Sequence, residues 1–379
     1  MSEADFPVTE FEGRADRAQR LMREQDFDAL LFTTEAEVQY FTGFRTLFWQ
    51  SPARPWFCLL PRTGKPIAVI PQIGAHLMAS TWVDDIRTFA APHPTDEGIS
   101  LLSDALKPYA AVGMPMGRES SLRMPLDDFE RIKASLPGTE FRDASALVQA
   151  VRHVKSEAEI AIHREICQIA SHSFENASNL FHEGQSLTSA FRSFKIDLLE
   201  RGADDVPYLV GGAGQGGYGD VISPPTDAPL QTGDVLMLDT GAIKNGYFCD
   251  FDRNFAIGHA SDAVRQAHRK LVEAVYAAAA VARPGKTCAD LFNAMTGVLG
   301  QADGNVGRMG HGLGIQLTET PSLTAFDTTV LQERMVLTLE PGIDLGDGKM
   351  LVHEENIVIR DGAPEFLSTP ADLEIPVIQ

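Results

Sequence analysis

Residues 235–258, VLMLDTGAIKNGYFCDFDRNFAIG, constrain this chain more than any other segment, because they ask one β-hairpin to bury two aspartates. Asp239 ends an apolar run, and Asp250 enters a second run after the turn signalled by Asn245 and Gly246. Adjacent antiparallel strands bring such carboxylates within a few ångströms, a separation that two cations neutralise. Without cations the pair repels and one pKa rises.

Three later residues complete a candidate ligand set. His311 lies in GRMGHGLG, where flanking glycines allow close backbone approach and the imidazole offers a neutral nitrogen. Glu340 stands in VLTLEPG, where Pro341 and Gly342 end a strand just past the carboxylate, and Glu354 begins the strand-like EENIVI. Singly, each has an ordinary reading as a turn, a surface histidine or a strand end. Together they form an oxygen-rich set with one imidazole, which suits manganese, iron, cobalt or zinc.

The 379 residues exceed one ordinary core and predict two domains, at 1–152 and 153–379. The first reads as α/β, with helices over 14–25, 98–107 and 125–136 and strands over 56–60, 67–70, 111–114 and 139–142. The second is helical to about Arg201, and then glycine-rich loops separate strand-like runs; GGAGQGGYG reads as one such loop. A net charge of −20 argues against nucleic acid and anionic membranes as partners. Four scattered cysteines, an acidic N-terminus and the lack of a long apolar run make the cytoplasm the expected location.

The segments DTGAIKNGYFCD, GHGLG, LEPG and HEEN resemble the metal-binding motifs of the pita-bread metallopeptidase superfamily, which includes methionine aminopeptidase, aminopeptidase P, prolidase and creatinase. The ligand spacing is similar to that of the prolidase branch. RHVKSEAEIA resembles the opening of that branch's catalytic domain, and FTGFRTLFWQSPARPWFCLLPRTGKPIAVIP resembles its N-terminal domain, so the likeness covers nearly the whole chain. The resemblance implies an N-terminal creatinase-like α/β domain, a C-terminal pita-bread domain of α+β type, and two divalent metal ions. Asp239 would chelate one ion, Asp250 and Glu354 would bridge both, and His311 and Glu340 would complete the other. Glu340 would also serve as general base. A homodimer is implied too, with the N-terminal domain of one subunit approaching the active site of the other. Phe48, Trp49 and Arg54 then become candidates for substrate recognition, the arginine through paired hydrogen bonds to a carboxylate.

The chain departs from the peptidase pattern at the accessory histidines. Thr318 stands at the HExP histidine, and the earlier histidine falls near Ile222. Val352 replaces an expected arginine, and Asp252 an expected threonine. Each lost donor to a developing oxyanion is worth about 3 to 4 kcal/mol. Tyr218, Thr318, Arg253 and His353 are candidate replacements, although a strand period points His353 away from Glu354, and Asp252 is a candidate proton acceptor. The expected activity is hydrolysis of a small carbon–nitrogen bonded substrate such as an Xaa-Pro dipeptide. The alternatives are a non-peptidase enzyme on the same scaffold, as creatinase, ectoine hydrolase and dimethylsulfoniopropionate lyase are, and a binding module without catalysis.

Overall fold

The computed structural model describes residues 6–300 and 307–379, which form two compact units, Met1–Arg152 and His153–Gln379. The first unit holds one mixed sheet made of β1 (Ala29–Phe32), β2 (Phe57–Pro61), β3 (Ile67–Pro71), β4 (Asp85–Phe89), β5 (Ala111–Met114) and β6 (Glu140–Asp143), in the order β4-β3-β2-β1-β5-β6. β1 to β3 are antiparallel neighbours, whereas β4, β5 and β6 each join in parallel. Short apolar runs such as Ala29–Phe32 are buried throughout, as expected where helices cover the sheet. Leu102, Leu106, Phe129 and Ile132, from helices Ile99–Leu106 and Leu126–Ser135, pack onto Leu31, Leu59 and Val69. Strand β4 has no apolar run, and its half-exposed DIRTF gave no sequence signal.

The second unit opens with helix Glu157–Glu175, whose N-terminus is fixed by a capping box. The Ser156 hydroxyl accepts the Glu159 N–H at 3.1 Å, and the Glu159 carboxylate accepts the Ser156 N–H at 2.8 Å. Its first sheet contains β7 (Asp205–Gln215), β8 (Asp234–Lys244), the short β9 (Tyr247–Phe248) and β10 (Phe251–Ile257), with the C-terminal β18 (Val377–Ile378) on its edge. The second runs β12-β11-β13-β16-β17, where β11 is His311–Gly312, β12 Glu319–Ser322, β13 Val336–Leu339, β16 Glu355–Val358 and β17 Glu365–Phe366. A separate hairpin joins β14 (Gly342–Gly346) to β15 (Lys349–Val352). Phe174, Phe194, Leu236, Leu238 and Phe251 lie in one core, while Val275, Leu291, Leu337 and Ile357 lie in another.

The glycine-rich stretch corrects the sequence reading. Gly211, Gly212, Ala213, Gly214 and Gln215 continue β7 as a strand paired with Leu238 through Asp234 of β8. Glycine is required there by proximity, because a Cβ on Gly211 would stand 2.1 Å from the Met237 carbonyl oxygen at a φ of +145°. Close backbone packing, rather than a turn, explains the composition.

Candidate metal centre

The hairpin of β8 and β10 sets the first aspartates. Its register places Asp239 opposite Asp252, and Asp250 lies one step before β10. The Asp250 backbone is locked by Asn356, whose side-chain oxygen accepts the Asp250 N–H at 3.0 Å and whose amide donates to the Asp250 carbonyl. Gly310 allows the next ligand to approach: a Cβ there would lie 2.3 Å from the Thr338 carbonyl oxygen. His311 therefore enters close beside β13, and its N–H donates to the Thr338 hydroxyl at 2.9 Å. That hydroxyl in turn donates to Glu340.

Five side chains converge in two sets: Asp250, His311 and Glu340 form one, and Asp239, Asp250 and Glu354 form the other. Within each set the ligand atoms lie within 4.8 Å of one another, and Asp250 belongs to both. Glu354 joins Asp239 and Asp250 in the second set. His311 Nδ1 is 2.8 Å from the Gly312 carbonyl, which can only accept, so Nδ1 carries a proton. Nε2 then faces the carboxylates, at 2.9 Å from Glu340 and 3.2 Å from Asp250.

The charges do not balance in protein groups alone. Burial, and then Asp250, push the Asp239 carboxyl well above its usual range, while burial and Asp239 do the same to Glu354. Burial raises Asp250 to about 6 against the pull of His311. His311 rises to about 10 despite burial, because Glu340 and Asp250 face it. One oxygen of Asp239 has no hydrogen-bond partner although it is buried. Mutually repelling carboxylates, an imidazole nitrogen turned inward and an orphaned oxygen fit a pair of divalent cations.

Several other predicted residues have different employment. The Tyr218 hydroxyl is buried, accepts the Val352 N–H at 2.7 Å and donates to Asn254 at 3.1 Å, so it latches β15 and cannot act as a substrate donor. Arg253 is also buried, its guanidinium committed to Glu355 at 2.9 Å and to the carbonyls of Glu354, Asp252 and Thr369. Strand alternation sends it to the face opposite Asp252. Asp252 is fully buried under the cluster and accepts the Glu354 N–H at 3.1 Å, beside His353 at 3.5 Å. It supports the ligands and does not reach a substrate. His353 points away from the ligand set, between Asp252 and Glu355. Thr318 is half-buried, and its hydroxyl accepts from Arg308 at 3.4 Å.

In the N-terminal unit Trp49 is buried against Trp56, with Arg123 over its ring and bonded to its carbonyl, which makes it core rather than a recognition surface. Phe48 is half-buried, with the Arg54 guanidinium 5.0 Å above its ring. Ile222, where an accessory histidine was sought, is 74% exposed.

Two residues near the cluster escaped the sequence reading. The Tyr208 hydroxyl lies close enough to Asp239 to feel its charge, and burial followed by that charge raises its pKa, so it stays protonated. Arg308 carries its charge close enough to help hold the Asp250 and Glu340 carboxyls down. Reading β7 as a strand from Asp205 would have brought Tyr208 beside β8; nothing in the sequence marked Arg308.

Residues 161–361 match metallopeptidase family M24, and residues 14–154 match the creatinase/prolidase N-terminal domain. The chain is 27% identical over 367 residues to a protein named putative dipeptidase YkvY from Bacillus subtilis, covering 96% of this chain and 99% of that one. It is 25% identical over 250 residues to an Xaa-Pro dipeptidase from Pyrococcus furiosus, 64% of this chain and 71% of the relative. The solved structure of dipeptidase PepE from Mycobacterium ulcerans superposes with a TM-score of 0.85 at 23% identity, over 99% of each chain, which establishes a shared fold. With the family match spanning more than half its length and all five ligand positions filled, the chain belongs to metallopeptidase family M24, a metal-dependent hydrolase of the pita-bread superfamily.

Proposed function

We propose that this enzyme hydrolyses the amide bond of small substrates, with Xaa-Pro dipeptides first among them. The observation that carries the reading is the pair of ligand sets sharing Asp250, with Glu340 and Glu354 partly open to solvent. The names of the relatives, dipeptidase and Xaa-Pro dipeptidase, support the substrate class. Two divalent cations, manganese first among the candidates, would supply an activated water and polarise the scissile carbonyl. Asp239, Asp250, His311, Glu340 and Glu354 would hold them.

The chain's own groups do the rest. Glu340, kept below its usual pKa against burial by His311 and Thr338, accepts the proton of the attacking water. Water oxygen bonds to the carbonyl carbon, the carbon–nitrogen bond breaks, and Glu340 returns the proton to the leaving nitrogen. The Tyr208 and Thr318 hydroxyls donate to the developing oxyanion in place of the missing histidines. A homodimer in the cytoplasm is the working form of this reading, consistent with four buried, unpaired cysteines.

A second reading, a non-peptidase amidohydrolase, is favoured by one observation: Thr318 stands at one accessory histidine position, and the stretch around the exposed Ile222, where the other is expected, holds no histidine. Assay of the manganese-loaded protein against a panel of Xaa-Pro dipeptides decides between them. Release of free proline supports the dipeptidase reading, and flat progress curves for every dipeptide overturn it.

A further inference from the structure

His353 has no place in the mechanism above, yet it stands where three ligand-bearing segments meet. Its backbone N–H donates to the carbonyl of Pro341, the residue after Glu340, at 3.1 Å. Its imidazole is fully buried, with Nδ1 3.5 Å from Asp252 and Nε2 3.3 Å from Glu355. Asp252 belongs to the segment that carries Asp250, and Glu354 follows His353 directly.

The two sides of the ring face carboxylates in different situations. On the Nε2 side, Glu355 is already held by Arg253 at 2.9 Å, by the Ala371 N–H at 2.9 Å and by the Ser368 hydroxyl. On the Nδ1 side, one oxygen of Asp252 is buried without a hydrogen-bond partner, and the other accepts the Glu354 N–H at 3.1 Å beside the imidazole. The terminal torsion of an aspartate is soft, so a rotation of Asp252 would release the backbone of a metal ligand, and His353 stands against that rotation. Asp252 also lies opposite Asp239 in the strand register, and its charge acts on Asp239 and Glu354, two members of one ligand set.

We infer that His353 is a positioning residue, which acts through Asp252 to fix Glu354 and so sets how tightly the Asp239, Asp250 and Glu354 set holds its cation. The inference rests on the paired-cation centre and is independent of the substrate, so an enzyme inert to every dipeptide leaves its test unaffected. A histidine that served packing alone would distinguish neither the two ligand sets nor its own two ring nitrogens.

Two replacements separate the sides of the ring: His353→Asn keeps an amide donor near the Nδ1 position, and His353→Gln keeps one near Nε2. Each is made in His311→Ala, which leaves the Asp239, Asp250 and Glu354 set intact, and in Asp239→Asn, which leaves the other. Calorimetry reads manganese affinity in both backgrounds, and thermal melts of the metal-free proteins report folding. In the His311→Ala background, His353→Gln should weaken manganese binding by about 10- to 100-fold, the range for a residue that orients a ligand, and His353→Asn should restore most of that loss. In the Asp239→Asn background both replacements should leave the affinity unchanged. Equal losses in the two backgrounds, equal losses from the two replacements, or no loss at all overturns the inference. If His311→Ala takes up no manganese, that set holds no cation by itself and the inference falls with it. If His353→Gln does not fold, Asp252→Asn decides: a loss confined to the His311→Ala background supports the inference, and an equal or absent loss overturns it.

Discussion

At the residue scale, the proposed mechanism replaces a donor without keeping its place in the sequence. Thr318 stands at one accessory histidine position and is half-buried beside Arg308, whereas Ile222, near the other, is exposed. Tyr208 reaches Asp239 from β7 and remains protonated because burial and that carboxylate both resist its ionisation. A preorganised donor of this kind contributes about 100-fold or more to kcat. Tyr208→Phe should therefore reduce kcat on a cleaved dipeptide by about two orders of magnitude, with a smaller change in KM. Steady-state kinetics check this, and a kcat within threefold of wild type would remove Tyr208 from the reaction. Asp252 illustrates the opposite case: its acidity suggested chemistry, but complete burial and the bond from the Glu354 N–H make it a support.

At the element scale, two helices carry buried histidines that tie stability to pH. His163, in helix Glu157–Glu175, bonds the Phe248 carbonyl at 2.9 Å, and burial, reinforced by Lys155, pulls its pKa down to about 4. His268, in helix Asp262–Val281, bonds the Asp372 carbonyl at 3.0 Å and is likewise lowered to about 4 by burial and His353. Both folded values lie below the unfolded value of about 6.5, so the unfolded chain binds more protons between the two. The stability they contribute is present above pH 6.5 and is lost as pH falls towards 4. Thermal melts should show Tm dropping across that window, with a shallower drop in His163→Gln; parallel curves for the two proteins would contradict the assignment. The same scale explains what the sequence could and could not tell. Apolar runs revealed β8, β10 and β13, because burial leaves a compositional trace. The half-exposed β4 and the glycine-rich end of β7 left none, since their pairing depends on neighbours distant in the chain. Tyr208 was lost with β7, and Tyr218 and Arg253 were over-read because hydrogen-bond partners such as Val352 and Glu355 come from distant strands.

At the scale of the whole molecule, four of the five candidate ligands were legible because they sit at a marked local feature: the Asn-Gly turn between Asp239 and Asp250, the glycines around His311, and the Pro-Gly after Glu340. Convergence itself was carried by family resemblance, since no local pattern states which strands will meet. The described helices include none long and apolar enough to cross a membrane. Two sheets of the second unit bring β8, β10, β11, β13 and β16 around one acidic centre, and Asp250 is the residue both halves of it share. The account therefore predicts an uneven response to ligand removal. Metal content per chain, measured by mass spectrometry on protein reconstituted with manganese, should be about two ions for wild type and about one for Asp239→Asn or His311→Ala. Asp250→Asn should fall below either single-set variant. Two ions retained by Asp250→Asn, or none taken up by folded wild type, would contradict the paired-cation centre.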